Sequence, residues 1–142
     1  MRLIDVNVLV YAFREDAPDH DRYRTWLHDV VNSDEAFAVS DPILASFLRV
    51  VTHRAVFSPA TPLPAALRFA NTLRSQLNAV PIGPGARHWD IFTRLCETVS
   101  ARGNLIPDAF NAALAIESGC EFVTTDGDYA RFPGLRWRHP LR

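Results

Sequence analysis

The sequence predicts an α/β fold in which a mainly parallel central sheet is covered by helices on both faces. Short apolar segments alternate with longer segments in which apolar residues recur at helical spacing. The chain has 142 residues, of which 48% are hydrophobic and 22% charged, and this suffices for one sizeable core. We find no internal repeat, low-complexity tract or interdomain linker, so we expect a single domain over residues 1–142.

Five segments of four or five residues predict the strands, because they are short, apolar and followed by turn or cap residues. In chain order they are residues 2–6, 36–39, 79–82, 121–124 and 135–138. Helical segments separate most of them, so neighbouring strands are expected to run parallel. In such a sheet, functional sites form beyond the carboxyl ends of the strands.

Six segments predict helices from the spacing of their apolar residues. In chain order they are residues 7–13, 20–31, 41–52, 64–77, 87–101 and 107–117. Asn7 is suited to cap the first helix, and Asp41 followed by Pro42 is typical of a helix start. Gly119 follows the last helix and is expected to end it.

The composition excludes several classes of protein. No apolar run approaches the roughly 20 residues of a membrane span, and Asp5 near the N-terminus argues against a signal peptide, so we expect a cytoplasmic protein. Cys96 and Cys120 are too few for a disulfide framework or a zinc site. All 15 basic residues are arginine, which excludes P-loop and Schiff-base enzymes because both need a lysine. With a net charge of −1, any nucleic-acid site must be local.

Four aspartates fall at strand ends or in the first turns of helices: Asp5, Asp41, Asp108 and Asp126. Asp41 and Asp108 have a structural alternative as helix caps, and Asp126-Gly127 is a common turn. Asp5 is different, because a buried carboxylate without a partner costs several kcal/mol. As a set they suit Mg²⁺, which needs two or three carboxylates and keeps several waters. Such an ion can activate water for phosphodiester hydrolysis.

Several short motifs occur in a characteristic order over nearly the whole chain. They are LIDVNVL from Leu3, SDPIL from Ser40, FLRVVT from Phe47, Asn104 with IPDA from Ile106, AALA from Ala112, GC from Gly119, TTDGDY from Thr124 and FPGL from Phe132. In these motifs the chain resembles the PIN-domain ribonucleases, and among them the VapC-type toxins of toxin–antitoxin pairs.

The resemblance implies a three-layer α/β/α PIN fold and a metal-dependent endoribonuclease, the toxin of a type II toxin–antitoxin pair. It implies Mg²⁺, replaceable by Mn²⁺, held by Asp5, Asp108 and Asp126, with Asp128 matching a further acid that is present less regularly. It also implies a homodimer, inhibition by a small VapB-type antitoxin, and RNA products with 5′-phosphate and 3′-hydroxyl ends.

One position departs from the family pattern. Many relatives carry a glutamate just before the FLR segment, where this chain has Ser46. Some relatives place the acid at the start of that helix instead, where this chain has Asp41, so the fourth catalytic position is assigned to Asp41. If Asp41 only caps the helix, the site loses a ligand or a water-orienting base, and activity would be weak.

Other polar residues have both a functional and a structural interpretation. Arg49 is a candidate for contact with RNA phosphates, with a surface ion pair as the alternative. Asn7 is expected to act as a cap. Thr124 and Thr125 can orient Asp126, although β-propensity explains them equally well.

Three further groups of residues are expected to have structural roles. The basic C-terminal stretch is expected to form a solvated edge, and it comprises Arg131, Arg136, Arg138 and Arg142. The five histidines show no metal-ligand spacing. Cys96 and Cys120 are most simply small buried residues.

Two other functions stay open at this point. A PIN-like module could bind RNA or a protein with little catalysis, and Ser46 in place of glutamate favours this. A phosphatase with an aspartate nucleophile is disfavoured, because Asp5-Val6-Asn7 lacks the second aspartate of that class and the chain lacks lysine.

Overall fold

A computed structural model describes residues 1–142 and shows a three-layer α/β/α architecture. The five strands are β1 (Arg2–Ile4), β2 (Phe37–Ser40), β3 (Ala79–Ile82), β4 (Glu121–Val123) and β5 (Trp137–Arg138). The six helices are α1 (Val6–Phe13), α2 (His20–Val31), α3 (Asp41–Val51), α4 (Leu63–Arg74), α5 (His88–Val99) and α6 (Leu105–Glu117). A 3₁₀ helix, Gly127–Arg131, lies between β4 and β5.

The sheet is parallel throughout, with strand order β3-β2-β1-β4-β5. In the centre, Leu3 of β1 is paired with Ala38 of β2 on one side and Phe122 of β4 on the other. The chain moves outward from β1 to β3 and then returns to the other side of β1. The strand order therefore reverses between β1 and β4, which is the place where α/β sheets open a crevice for ligands.

The helices form two groups that follow from this path. Contacts join α1 to α2 and α3, and α3 to α4, whereas α5 packs on α6. Right-handed crossovers in opposite directions place their helices on opposite faces of a sheet. The expected mainly parallel α/β/α fold is confirmed.

The core is densest around α6 and the central strands. Four alanines of α6 are almost completely buried, namely Ala109, Ala112, Ala113 and Ala115, and their small side chains allow the helix to lie close to β4. Apolar residues of β1 and β4 are also buried, so the centre of the sheet is shielded on both faces. No helix combines the length and the apolar character needed to cross a membrane.

The expected element boundaries all lie within three residues of the observed ones, but the residue that caps α1 differs. The helix begins at Val6, and Asp5 is its N-cap, because the Asp5 carboxylate accepts a hydrogen bond from the Val6 amide. The expectation that Asn7 caps this helix is therefore wrong. The 3₁₀ helix after β4 is not among the expected elements, since five residues are too few to show a helical period.

Candidate active site

The central strands place polar residues at one edge of the sheet. Asp5 directly follows β1, and Thr124 directly follows β4, its parallel neighbour. Asp126 comes two residues later, and Asp108 lies in the first turn of α6. The carboxyl ends of β1 and β4 meet where the strand order reverses, so the three carboxylates converge on one crevice, with Thr124 buried beside it.

Asp5 is the most enclosed of the carboxylates, with only 5% of its surface exposed. One of its oxygens accepts from the Val6 amide at 2.7 Å, and the other accepts from the Thr124 hydroxyl at 2.6 Å. Burial raises the pKa of Asp5 to about 6; the two hydrogen bonds oppose this rise, and the charges of Asp108 and Asp126 add to it. The site therefore holds a carboxylate whose charge is poorly compensated by protein.

Thr124 connects several residues of the site through one buried hydroxyl. Its oxygen donates to Asp5 and accepts from the Asp126 amide at 3.0 Å and from the Asn7 side-chain amide at 3.3 Å. The Asn7 side-chain oxygen accepts from the Thr125 amide at 3.4 Å. Asn7 thus ties α1 to the segment after β4, and Thr124 orients Asp5 as well as the backbone of Asp126.

Asp108 is held by a hydrogen bond from Tyr129. The buried Tyr129 hydroxyl donates to Asp108 at 3.2 Å. Partial burial raises the pKa of Asp108; the Tyr129 hydrogen bond opposes this, and the charges of Asp126 and Asp128 add to it. Sequence reasoning missed Tyr129, although its place in the segment TTDGDY next to the acids is a usable signal.

Asp126 has the structural role expected of it as well as a place in the site. Its carboxylate accepts from the Asp128 amide at 2.8 Å and caps the 3₁₀ helix. This cap leaves one carboxylate oxygen without a protein donor. Asp128 itself is exposed and lies further along the same edge.

The acids lie where two cavities meet. The first, of about 410 Å³, is lined by Asp5, Asp108 and Asp126 together with Tyr129 and Asn111, and it also contacts Arg49, Ser46 and the apolar residues Val10, Val56 and Phe57. The second, of about 750 Å³, shares Asp108 and Asp126 and adds Asp128, Arg102 and Arg131. Together they form a groove, hereafter the acidic groove, that crosses the carboxylates.

The structure does not bring Asp41 to the other carboxylates. Asp41 is the first residue of α3 and follows the cap residue Ser40. Its side chain is 71% exposed and forms an ion pair with Arg74 at 2.9 Å. It lines neither cavity of the acidic groove. Ser46, where many relatives have glutamate, does line the first cavity.

Four of the five arginines that the sequence suggests for RNA contact or for a solvated edge separate into two groups. Arg136 donates to the Gly119 carbonyl and Arg138 pairs with Glu121, so these two have structural roles. Arg49 and Arg131 line the acidic groove and form no ion pair. The alternative interpretation, that Arg49 forms a surface ion pair, is therefore wrong.

The donor set of the groove has the chemistry of a site for a hard cation. Asp5, Asp108 and Asp126 form no ion pair with a basic side chain, and the charge of Asp126 raises the pKa of both Asp5 and Asp108. No three His, Cys, Asp or Glu side chains are arranged to enclose a single ion. Mg²⁺ retains several waters and does not need to be enclosed by protein ligands, so the carboxylates present fit such an ion.

A family model and individual known proteins match this chain over nearly its whole length. The PIN domain matches residues 2–135. The chain is 44% identical to ribonuclease VapC43 of Mycobacterium tuberculosis, over 99% of this chain and 96% of that protein. It is 40% identical to ribonuclease VapC25 of the same species, over 99% of both chains.

Solved structures share the fold at lower sequence identity. VapBC2 from Rickettsia felis, bound to a DNA fragment from its promoter, superposes with a TM-score of 0.70 at 20% identity, over 97% of each chain. VapBC-1 from nontypeable Haemophilus influenzae gives a TM-score of 0.72 at 14% identity, over 99% of this chain and 98% of that one.

Proposed function

This chain belongs to the PIN-domain family and, within it, to the VapC ribonucleases, and we propose that its acidic groove cleaves RNA with the help of a divalent metal ion. It is an RNA-cleaving hydrolase and the toxin of a toxin–antitoxin pair. Our proposal adds the metal, Mg²⁺ or in its place Mn²⁺, and the residues that hold it: Asp5, Asp108 and Asp126.

One observation carries the proposal. Asp5 is buried, lies among other carboxylates and has no cationic partner, so its pKa rises to about 6. Keeping this carboxylate charged at neutral pH without a counterion costs free energy. A divalent cation bound between Asp5 and its neighbours would remove that cost.

The residues of the chain have separable roles in this mechanism. Asp5, Asp108 and Asp126 would bind the ion, while Thr124 and Tyr129 hold Asp5 and Asp108 in place by the hydrogen bonds described above. When bound, such an ion would supply Lewis-acid chemistry that activates water and offsets negative charge on the phosphate. Arg49 lines the same cavity and would contact the RNA backbone. Attack of water on phosphorus would form one P–O bond and break the bond to the 3′-oxygen, which takes up a proton, so the products would carry 5′-phosphate and 3′-hydroxyl ends.

We also propose the partners expected of such a toxin. A small VapB-type antitoxin would inhibit the enzyme by inserting an arginine between the groove carboxylates, where the uncompensated negative charge favours a guanidinium. The protein would form a homodimer and act in the cytoplasm. Size-exclusion chromatography with light scattering tests the dimer directly.

The second candidate is an RNA- or protein-binding module with little catalysis. Ser46 favours it, since it leaves a hydroxyl in the first cavity where many relatives have a carboxylate. Asp41 pairs with Arg74 outside the groove, which supports the proposal that it does not replace that carboxylate. The two candidates differ in whether metal-dependent cleavage occurs.

The test compares cleavage of structured RNAs by the wild type and by three variants, with Mg²⁺, Mn²⁺ or EDTA. We expect Asp5→Asn and Asp108→Asn to reduce the cleavage rate by at least about 100-fold, because each removes charge from the metal site. We expect Asp41→Asn to retain the wild-type rate within about threefold, since Asp41 is exposed and outside the groove. In the absence of RNA, added metal should stabilise the wild type and Asp41→Asn more than it stabilises Asp5→Asn and Asp108→Asn.

Circular dichroism of each variant serves as the folding control. Cleavage in EDTA at the wild-type rate would overturn the role of the metal. Absence of cleavage by a protein purified free of antitoxin would favour the binding module. Loss of cleavage in Asp41→Asn alone would place Asp41 in the site despite its distance from the groove.

A further inference from the structure

The second cavity of the acidic groove is lined by arginines other than Arg49, which lines only the first cavity. It begins at Asp108 and Asp126 and continues past Asp128 to Arg102 and Arg131. The groove therefore has a carboxylate centre with arginine on both sides. The proposed mechanism does not involve the two arginines on this side.

Seven of the 15 arginines have a partner within the chain, whereas Arg102 and Arg131 have none. Arg2, Arg14, Arg22, Arg74 and Arg138 form ion pairs, and Arg87 and Arg136 bind backbone carbonyls. Arg102 and Arg131 form neither, although Asp126 and Asp128 line the same cavity. Their guanidinium groups are exposed to the groove and free to bind an anion.

The elements that carry these arginines also position the acids. Arg102 lies in the short connection between α5 and α6, three residues before the first residue of the helix that presents Asp108. Arg131 is the last residue of the 3₁₀ helix that Asp126 caps. The amino end of α6 also borders the cavity through Asn104 and Leu105, and helix N-termini favour anions. The spacing between the arginines and the carboxylates is thus set by the fold.

We infer that Arg102 and Arg131 form a phosphate-binding subsite for the RNA backbone, on the side of the carboxylates opposite to Arg49. This inference rests on the proposed function, because it needs an RNA strand in the acidic groove. Guanidinium groups bind phosphate oxygens through paired hydrogen bonds, whereas a carboxylate-lined centre alone would repel the backbone. With arginine on both sides, one strand crosses the carboxylates and its scissile phosphate lies over them.

The experiment measures binding of a fluorescein-labelled single-stranded RNA by anisotropy in EDTA, which prevents metal-dependent cleavage, at several salt concentrations. We expect the double variant Arg102→Gln/Arg131→Gln to bind about five- to tenfold more weakly than the wild type. We also expect the slope of log Kd against log salt to fall by about 0.7 for each phosphate that the variant no longer binds. Cleavage with Mg²⁺ should show an increased KM at a nearly unchanged kcat.

Two control variants separate the subsite from general effects of charge. Arg68→Gln/Arg94→Gln removes the same charge from exposed, unpaired arginines outside both cavities and should bind RNA as the wild type does. Arg102→Lys/Arg131→Lys keeps the charge and should recover most of the salt dependence but only part of the affinity. Equal loss in the Arg68/Arg94 variant would overturn the subsite.

The outcomes also separate the subsite from the proposed function. If the wild type cleaves RNA and the Arg102/Arg131 variant binds it with unchanged Kd, the subsite is wrong, the nuclease stands, and a protein partner becomes the better explanation for these arginines. If the wild type, free of antitoxin, neither binds nor cleaves RNA, both are wrong.

Discussion

Thr124 shows how one side chain organises the acidic groove. It is fully buried and its hydroxyl contacts Asp5, the Asp126 amide and Asn7. Through these contacts, the residue that follows β4 is joined to the residue that follows β1, to α1 and to the next acid along the chain. The hydroxyl, and not the β-branched shape, is therefore the functional part of this residue.

Replacing Thr124 by valine tests this role, because valine keeps the shape and removes the hydroxyl. We expect Thr124→Val to lower the free energy of unfolding by about 1–3 kcal/mol, since Asp5 loses a donor while it stays buried. We expect the RNA cleavage rate to fall at least about tenfold. Urea unfolding and cleavage at saturating Mg²⁺ measure the two effects. Thr124→Ser should retain both properties, and wild-type cleavage by the valine variant would contradict the role.

At the scale of elements, the connection between α3 and α4 forms one wall of the first cavity through Val56 and Phe57. Arg14, which follows α1, holds this connection. Its guanidinium lies 4.2 Å from the centre of the Phe57 ring and donates to the Pro59 carbonyl and the Thr61 hydroxyl. It also pairs with Asp16 at 2.6 Å. The wall is thus fixed to the same helix that Asp5 caps.

We expect Arg14→Ala to loosen this wall. The free energy of unfolding should fall by about 1–2 kcal/mol, because the variant lacks both hydrogen bonds and the packing on Phe57. Amide exchange should increase at residues 53–61, and KM for RNA should rise more than kcat falls. Arg68→Ala, at an exposed and unpaired position of α4, provides the comparison. Unchanged exchange in Arg14→Ala would show that the connection is held by its other contacts.

At the scale of the whole molecule, stability and function oppose each other at Asp5. In the folded protein its pKa is about 6, above its ordinary value of 3.8. The folded state therefore binds this proton more tightly than the unfolded state, and stability falls as pH rises from about 4 to 6. By this shift alone, the ionised carboxylate costs up to about 3 kcal/mol above pH 6 when no metal is bound.

Asp5→Asn should accordingly stabilise the metal-free protein while it abolishes cleavage. We expect a gain of about 2 kcal/mol at pH 8, which is less than the full cost because the hydrogen bond with Thr124 must rearrange. The gain should disappear near pH 4, where the wild-type carboxyl is protonated. Urea unfolding in EDTA at pH 4, 6 and 8 measures this dependence. A variant less stable than the wild type at pH 8 would show that the carboxylate is compensated.

Much of the fold and part of the site follow from local patterns that the sequence carries by itself. The alternation of apolar segments and helical spacing predicts the parallel sheet and the helices on both faces, because each element buries its own apolar side. The position of Asp5, Asp108 and Asp126 after strands or in a first helical turn predicts that they converge, since parallel strands end at one edge.

Only the tertiary structure shows which polar residues that are distant in the sequence contact each other. Asp41, at the first position of α3, lies outside the acidic groove and pairs with Arg74, a residue 33 positions away. The links from Thr124 to Asp5 and from Tyr129 to Asp108 join segments 119 and 21 residues apart. The tertiary structure is also needed to show that Arg102 and Arg131 have no ion-pair partner, because this depends on the positions of all the carboxylates. Sequence periodicity reports how each segment is buried, whereas pairing between distant polar groups is fixed only by the packing of the whole chain.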